Sequence, residues 1–176
     1  MGIRNYLIEG VSGAGKTTVA EVLERRGYEV VHCDRVLASI GDPVTGNQFV
    51  SPPPKDVTDG PEWKQKHWIW DENKVKSLTA DQSNAVTFFC GGSRNFPRFV
   101  DLFDAVFVLE IDAQTLKRRL ESRLEDEFGG RPDEQELILR LHATNEDIPR
   151  DGIMIDATAR VEQVVDEILA KCALTE

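Results

Sequence analysis

The sequence predicts an α/β fold: a doubly wound parallel sheet of five strands with helices on both faces, in a single domain spanning residues 1–176. Three observations predict it. Five short runs are apolar without a break, as strands covered on both faces are. Stretches with apolar residues at helical spacing lie between them. The first run feeds a glycine-rich loop, GVSGAGKTT, from Gly10 to Thr18, that opens a helix.

Taken in order, RNYLIE is the first strand, with Tyr6, Leu7 and Ile8 as its apolar centre. The helix after the loop carries Val19, Val22 and Leu23 at helical spacing and meets its stop at Gly27. EVVHC reads as strand two, AVTFFC as strand three, FDAVFVLEI as strand four and GIMID as a short strand five. The last helix has a clean apolar stripe of Val161, Val164, Val165, Ile168, Leu169 and Cys172.

Two segments break the alternation. Residues 41–60 are rich in Gly and Pro, including the run Pro52-Pro53-Pro54, and a loop of that length in a compact domain is usually functional or disordered. The stretch from Pro61, PEWKQKHWIWDENKVKSL, then reads as one helix. At about 100° per residue, Trp68, Val75 and Leu78 share a core face, and Trp63 and Trp70 fall opposite with His67 and Lys74 nearby. That second face can stack on a substrate ring, bury itself in a dimer, or simply pack under the long loop. The second break, DEFGGRPDE at residues 126–134, reads as a hinged lid carrying Arg131, with an ordinary interhelical turn as the alternative.

Composition excludes several function classes. With 21 basic against 31 acidic residues, the net charge of −10 argues against a general nucleic-acid or anionic-membrane binder, so any anion site must be local. Cys33, Cys90 and Cys172 are odd in number and widely spaced, which indicates neither a disulfide framework nor a zinc site. The three histidines show no metal-ligand spacing. There is no leader-like segment and no apolar run of membrane-spanning length, so the expectation is a cytoplasmic protein. Oligomeric state is left open.

The loop fits G-x-x-x-x-G-K-[ST] through Gly10, Gly15, Lys16 and Thr17, with Gly13 as an additional glycine and Ser12, Ala14 and Thr18 completing the turn. Such a pattern arises by chance in about one chain per hundred or fewer at this length, and the strand before it and helix after it narrow that further. Glycines let successive backbone N–H groups turn inward onto a phosphate chain. Lys16 is placed to reach the β- and γ-phosphates and Thr17 to put its hydroxyl on Mg²⁺, while the helix N-terminus adds its positive dipole. A nucleoside triphosphate is the expected ligand.

Ligands of doubly wound sheets bind beyond the carboxyl ends of the strands. After strand two stands Asp34, able to take the proton of an attacking alcohol, to hold the magnesium shell, or to cap the helix beginning at Arg35. After strand three come Gly91, Gly92, Ser93 and Arg94, a turn that exposes backbone next to a guanidinium able to clamp substrate. Arg119 and Arg123 lie four apart on one helix face, either paired with nearby acids or neutralising a transferring phosphate. Arg140, after the lid, can face the same cleft.

These segments, in this order, resemble the small P-loop kinases that include adenylate, shikimate and gluconate kinases. The likeness covers most of the chain outside residues 41–80. GVSGAGKTT is similar to their Walker A loop. HCDRVL resembles the Asp-bearing segment that in shikimate kinases makes substrate and magnesium contacts, and CGGSRN resembles the glycine-rich substrate turn of shikimate kinases or the Asp-Gly-Phe-Pro-Arg segment of adenylate kinases. The resemblance implies a sheet of the P-loop kinase type with a lid at 124–133, lid arginines at Arg119 and Arg131, and a substrate- or phosphate-binding arginine at Arg140. It places Asp156, Ala157 and Thr158, in IDATARVEQV, near the adenine, and residues 41–84 where the family keeps its acceptor-binding insert. It implies ATP and Mg²⁺ as cofactors, with Thr17 and Asp34 at the metal, and a small-molecule acceptor as partner. The chain departs from the family at His32, where shikimate kinases usually carry an Asp. Ser93 and Asn95 also depart, which argues against shikimate and AMP as acceptors.

The leading expectation is therefore a phosphotransferase moving the γ-phosphate of ATP to a hydroxyl of a nucleoside or sugar-like compound, with Lys16, Asp34, Arg119 and Arg131 in the chemistry. A nucleoside monophosphate kinase is the alternative, needing an arginine cluster that Arg35, Arg94 and Arg98 can supply. A nucleotide switch is the other class, and the Asn-Lys-x-Asp base-reading motif of GTPase switches does not occur. An enzyme acting on RNA ends needs a basic groove, which the net charge disfavours.

Overall fold

The computed structural model describes residues 3–51 and 60–174; the Pro52-Pro53-Pro54 run lies outside them. Its centre is a parallel five-stranded sheet in the order β2-β5-β1-β6-β7, formed by β1 (Arg4–Glu9), β2 (Glu29–His32), β5 (Val86–Cys90), β6 (Ala105–Glu110) and β7 (Ile153–Asp156). All five expected strands are present. Register brings their carboxyl ends level, with Ile8 and His32 both opposite Cys90, Glu9 opposite Val108, and Glu110 opposite Asp156. The connections leaving the neighbours β1 and β6 run to opposite sides, which opens the crevice where such folds bind ligands.

Strand periodicity splits the core into two layers. Tyr6, Ile8, Phe88 and Phe107 pack on one face under α1 (Lys16–Arg25) and α7 (Val161–Leu174). Leu7, Val31 and Phe89 point to the other, against Trp70, Val75, Phe99 and Phe103. The α7 stripe is as expected: Val164, Val165 and Ile168 are buried, with Val161, Leu169 and Cys172 packed at its margin. Residues 122–131, most of the segment expected as a lid, run as mostly exposed turns, with Gly129 buried, between α5 (Ala113–Glu121) and α6 (Pro132–Thr144), which takes in Pro132 and Asp133.

The segment from Pro61 is not one helix, and this corrects the expected faces. It forms α3 (Pro61–Lys66), a strand β4 (Trp68–Trp70) and α4 (Glu72–Thr79). Trp-Ile-Trp is a β-favouring triplet, and it pairs antiparallel with β3 (Ala38–Ile40) next to the four-residue helix α2 (Cys33–Val36). Asp71 then restarts the helix, accepting the N–H groups of Asn73 at 3.0 Å and Lys74 at 3.2 Å. An extended strand inverts the wheel. Trp70, expected opposite the core face, is 1 % exposed and stacked on Phe99 with ring centroids 5.6 Å apart. Trp63 stacks on His67 at 4.2 Å.

Asn95 explains its own departure from the family pattern. It is fully buried, accepts the Trp70 N–H and donates to the Trp70 carbonyl, both at 2.9 Å, so it fastens β4 to the turn after β5. Those bonds go to the Trp70 backbone and survive substitution, so Trp70→Ala should cost about 3–5 kcal/mol in urea unfolding through the loss of its buried, Phe99-stacked ring, as emptying a large aromatic site does. A loss below about 1 kcal/mol would show that the β3-β4 unit packs without it.

Candidate active site

The glycine-rich loop runs from the end of β1 into α1. Gly15 precedes the helix at φ +109°, a left-handed conformation that L side chains rarely adopt. At Gly13, also left-handed, a Cβ would lie 2.7 Å from Leu116, so only glycine lets the loop close on α5. Lys16 is buried. Its Nζ donates to the carbonyls of Gly10 and, at 3.2 Å, of Val11, and so folds back over the loop. Burial pushes its pKa below the usual lysine value, against the opposing charges of Glu9 and Asp34.

Two cavities meet at this loop. The first, about 480 Å³, has Gly13, Gly15, Lys16 and Thr17 at one end and Ala157, Ala159, Val161 and Val164 at the other. The second, about 750 Å³, shares Ser12, Lys16, Thr17, Thr18, Asp34 and Arg123 with the first. It extends over Glu9, Gly10, Gly92 and Arg94 to a wall that includes Trp68, Phe128, Ile138 and Leu141. Both volumes suit small-molecule sites.

Asp34 stands at the junction. It is exposed, inside the first turn of α2, whose N-cap position is His32; its side chain makes no cap. The helix-cap alternative is thereby removed. Its Oδ1 accepts from Trp68 Nε1 at 3.5 Å, so the tryptophan that faces the cavity is Trp68, not Trp63 or Trp70.

The structure adds a carboxylate that the sequence reading missed. Glu9 ends the central strand, is 2 % exposed, and lines the second cavity. Burial raises its pKa to about 7, opposed by Lys16, Arg94 and the Gly10 N–H, with Asp34 adding to the rise. The turn after β5 is shaped around both acids. A Cβ at Gly91 would lie 2.9 Å from Asp34 Oδ1, and one at Gly92 2.7 Å from Glu9 Oε2. His32, where the family's second Asp was sought, instead pairs outward with Glu24 at 3.0 Å. The signal available was an acid directly after the apolar run Tyr6-Leu7-Ile8 and just before the phosphate loop.

The arginines separate clearly. Arg119 donates to the carbonyls of Gly13 at 3.2 Å, Ala14 at 3.0 Å and Ala157 at 3.0 Å, bracing the phosphate loop against the loop before α7. Arg123, left open at the sequence level, reaches Ser12 Oγ at 3.0 Å and the Phe128 carbonyl, and lines both cavities. Arg131 lies outside both, held by Glu134 at 2.9 Å within the first turn of α6. Arg140 is exposed and pairs with Glu62 at 3.1 Å, away from the cleft. Arg94 does line the second cavity, but its Nη1 is engaged by the Asp147 carboxylate at 2.8 Å and carbonyl at 2.9 Å.

Near the expected adenine end, Ala157 lines the first cavity. Asp156 and Thr158 do not; they bond each other at 2.9 and 2.6 Å in an exposed turn. Thr17 and Asp34, both oxygen donors, lie on the wall common to the two cavities, a donor pair that suits a hard cation completed by water and phosphate oxygens. Among the described residues, no helix is long and apolar enough to cross a membrane.

Residues 7–140 match the family described as AAA domain. Among curated proteins none matches the sequence. Solved structures similar to the chain include a shikimate kinase from Bacteroides thetaiotaomicron, at TM-score 0.61 and 15% identity, covering 97% of this chain and 98% of that one. A gluconokinase from Sinorhizobium meliloti aligns at TM-score 0.58 and 18% identity, over 97% and 91% of the two chains. A deoxyadenosine kinase from M. mycoides with bound dATP aligns at TM-score 0.53 and 17% identity, over 96% and 99%. The fold is that of the P-loop kinases.

Proposed function

The chain belongs to the AAA-domain family, and from that premise we propose that it is an ATP-dependent phosphotransferase acting on a hydroxyl of a small molecule such as a nucleoside or sugar-like compound. One observation carries the reading: the phosphate-loop cavity opens into a larger second cavity through Lys16, Thr17 and Asp34. A triphosphate in the first would present its γ-phosphate to a compound in the second.

Each residue then has a task. Lys16, released from the Gly10 and Val11 carbonyls, would neutralise the transferring phosphoryl group, and Arg123 would join it from the lid side. Asp34 would accept the acceptor's proton as the new O–P bond forms and the bond from the γ-phosphorus to the β-bridging oxygen breaks. Arg119 would act chiefly by holding the loop's shape. Arg131 would reach the cleft only if residues 122–131 rearranged. Thr17 would hold Mg²⁺, which supplies charge neutralisation on the phosphates when bound, and Asp34 serves the metal instead if it does not take the proton. Trp68 and the apolar wall would take the body of the acceptor.

The nucleoside monophosphate alternative is weakened by the arginines. Arg94 is taken up by Asp147, Arg98 by Glu72, and Arg35 is exposed outside both cavities. A switch protein has no use for a second cavity of about 750 Å³. The discriminating experiment is ATP turnover and binding with a panel of nucleosides, sugars, nucleoside monophosphates and oligonucleotides. Stoichiometric transfer to an uncharged hydroxyl compound is expected. Transfer only to monophosphates, or ATP hydrolysis unaffected by any acceptor, would overturn the reading.

A further inference from the structure

Glu9 lies where the central strand enters the phosphate loop, and its surroundings are unusual for an acid. Its Oε2 accepts the Gly10 N–H at 2.8 Å. Its Oε1 is buried without a hydrogen-bond partner among the described residues. Gly92 closes over the carboxylate so tightly that a Cβ there would lie 2.7 and 2.8 Å from its two oxygens. A buried carboxylate with an unsatisfied oxygen requires compensation by nearby charge. Lys16 from α1 is the strongest such charge, Arg94 from the turn after β5 the next, and Asp34 from α2 opposes both. Arg94 is already engaged by Asp147.

Gly10 ties the pair together. Glu9 accepts its N–H while Lys16 Nζ donates to its carbonyl, so a single residue has a carboxylate on one of its peptide units and an ammonium group on the next. We propose that Glu9 is the positioning residue of the phosphate loop: it fixes the Gly10 peptide and is the counter-charge that holds Lys16 folded back until a triphosphate draws the lysine away. The proposal rests on the nucleotide reading of the first cavity. Its consequence is that nucleotide binding works against Glu9, because the lysine leaves and phosphate charge arrives nearby. Glu9 thereby limits how tightly the loop grips nucleotide and favours release.

The test is equilibrium binding of magnesium-free ATP, with GTP in parallel, to the parent protein and to Glu9→Gln. The amide keeps the side chain's size and an oxygen for the Gly10 N–H, and it removes the charge. At pH 8, Glu9→Gln should bind on the order of tenfold more tightly. The gap should close below pH 6, where the parent's Glu9, with its pKa near 7, is itself protonated. Comparing the two proteins at each pH cancels the nucleotide's own ionisation. Equal or weaker binding by Glu9→Gln at pH 8 would overturn the proposal, since a purely structural role predicts that outcome. Calorimetry on the parent protein, in two buffers of different ionisation enthalpy, does not depend on how the variant folds. It should show proton uptake on ATP binding near pH 8, and no uptake would also overturn the proposal. If neither nucleotide bound the parent protein, the nucleotide reading itself would fail, and the proposal with it.

Discussion

Lys16→Ala is expected to reduce phosphoryl transfer by on the order of a thousandfold, the scale at which losing one preorganised charge-stabilising donor affects a transition state. The fold should survive, because Lys16 is not part of the apolar core and, among the described residues, its hydrogen bonds go to the Gly10 and Val11 carbonyls. The substitution does leave Glu9 without its main counter-charge, so stability is best compared near pH 6, where that acid is largely protonated. Circular dichroism and thermal unfolding should match the parent protein there. Turnover within tenfold of the parent would mean that the glycine-rich loop does not serve the chemistry assigned to it.

Asp34→Asn should lower turnover by on the order of a hundredfold or more, the usual effect of losing a positioned acid–base group. Stability should hardly change. Asp34 is exposed, caps no helix, and its side-chain hydrogen bond among the described residues, from Trp68 Nε1, can be kept by the amide oxygen. Magnesium-free ATP affinity should also stay near the parent value, because solvent screens an exposed charge far more than the buried one at Glu9. The two acids thus separate cleanly: one substitution moves chemistry and the other moves binding. Near-normal turnover in Asp34→Asn, with a known acceptor, would remove the proton-transfer role.

The phosphate loop and the succession of strands and helices along the chain were legible because their signals are local. Gly10 to Thr18 are consecutive, and the conformations their glycines permit do not depend on distant partners. Continuous apolar runs likewise marked buried parallel strands directly. Less of the second cavity could be read. Its walls come from residues as far apart as Glu9, Asp34, Trp68, Gly92 and Arg123, joined only when β2, β5 and β1 align their carboxyl ends.

By itself, then, the sequence determined a triphosphate-type loop on a parallel sheet and an acid after the second strand. Tertiary structure decided which side chains share the cleft. Trp68 faces it and Trp70 does not, because pairing with β3 turned a helical-looking segment into a strand and changed its period from 3.6 to 2. Arg123 reaches it and Arg131 does not, because Glu134 holds Arg131 at the start of α6. Glu9 joined the site for a similar reason. An acid at a strand end is unremarkable until burial removes its water and leaves Lys16 and Arg94 as its compensation.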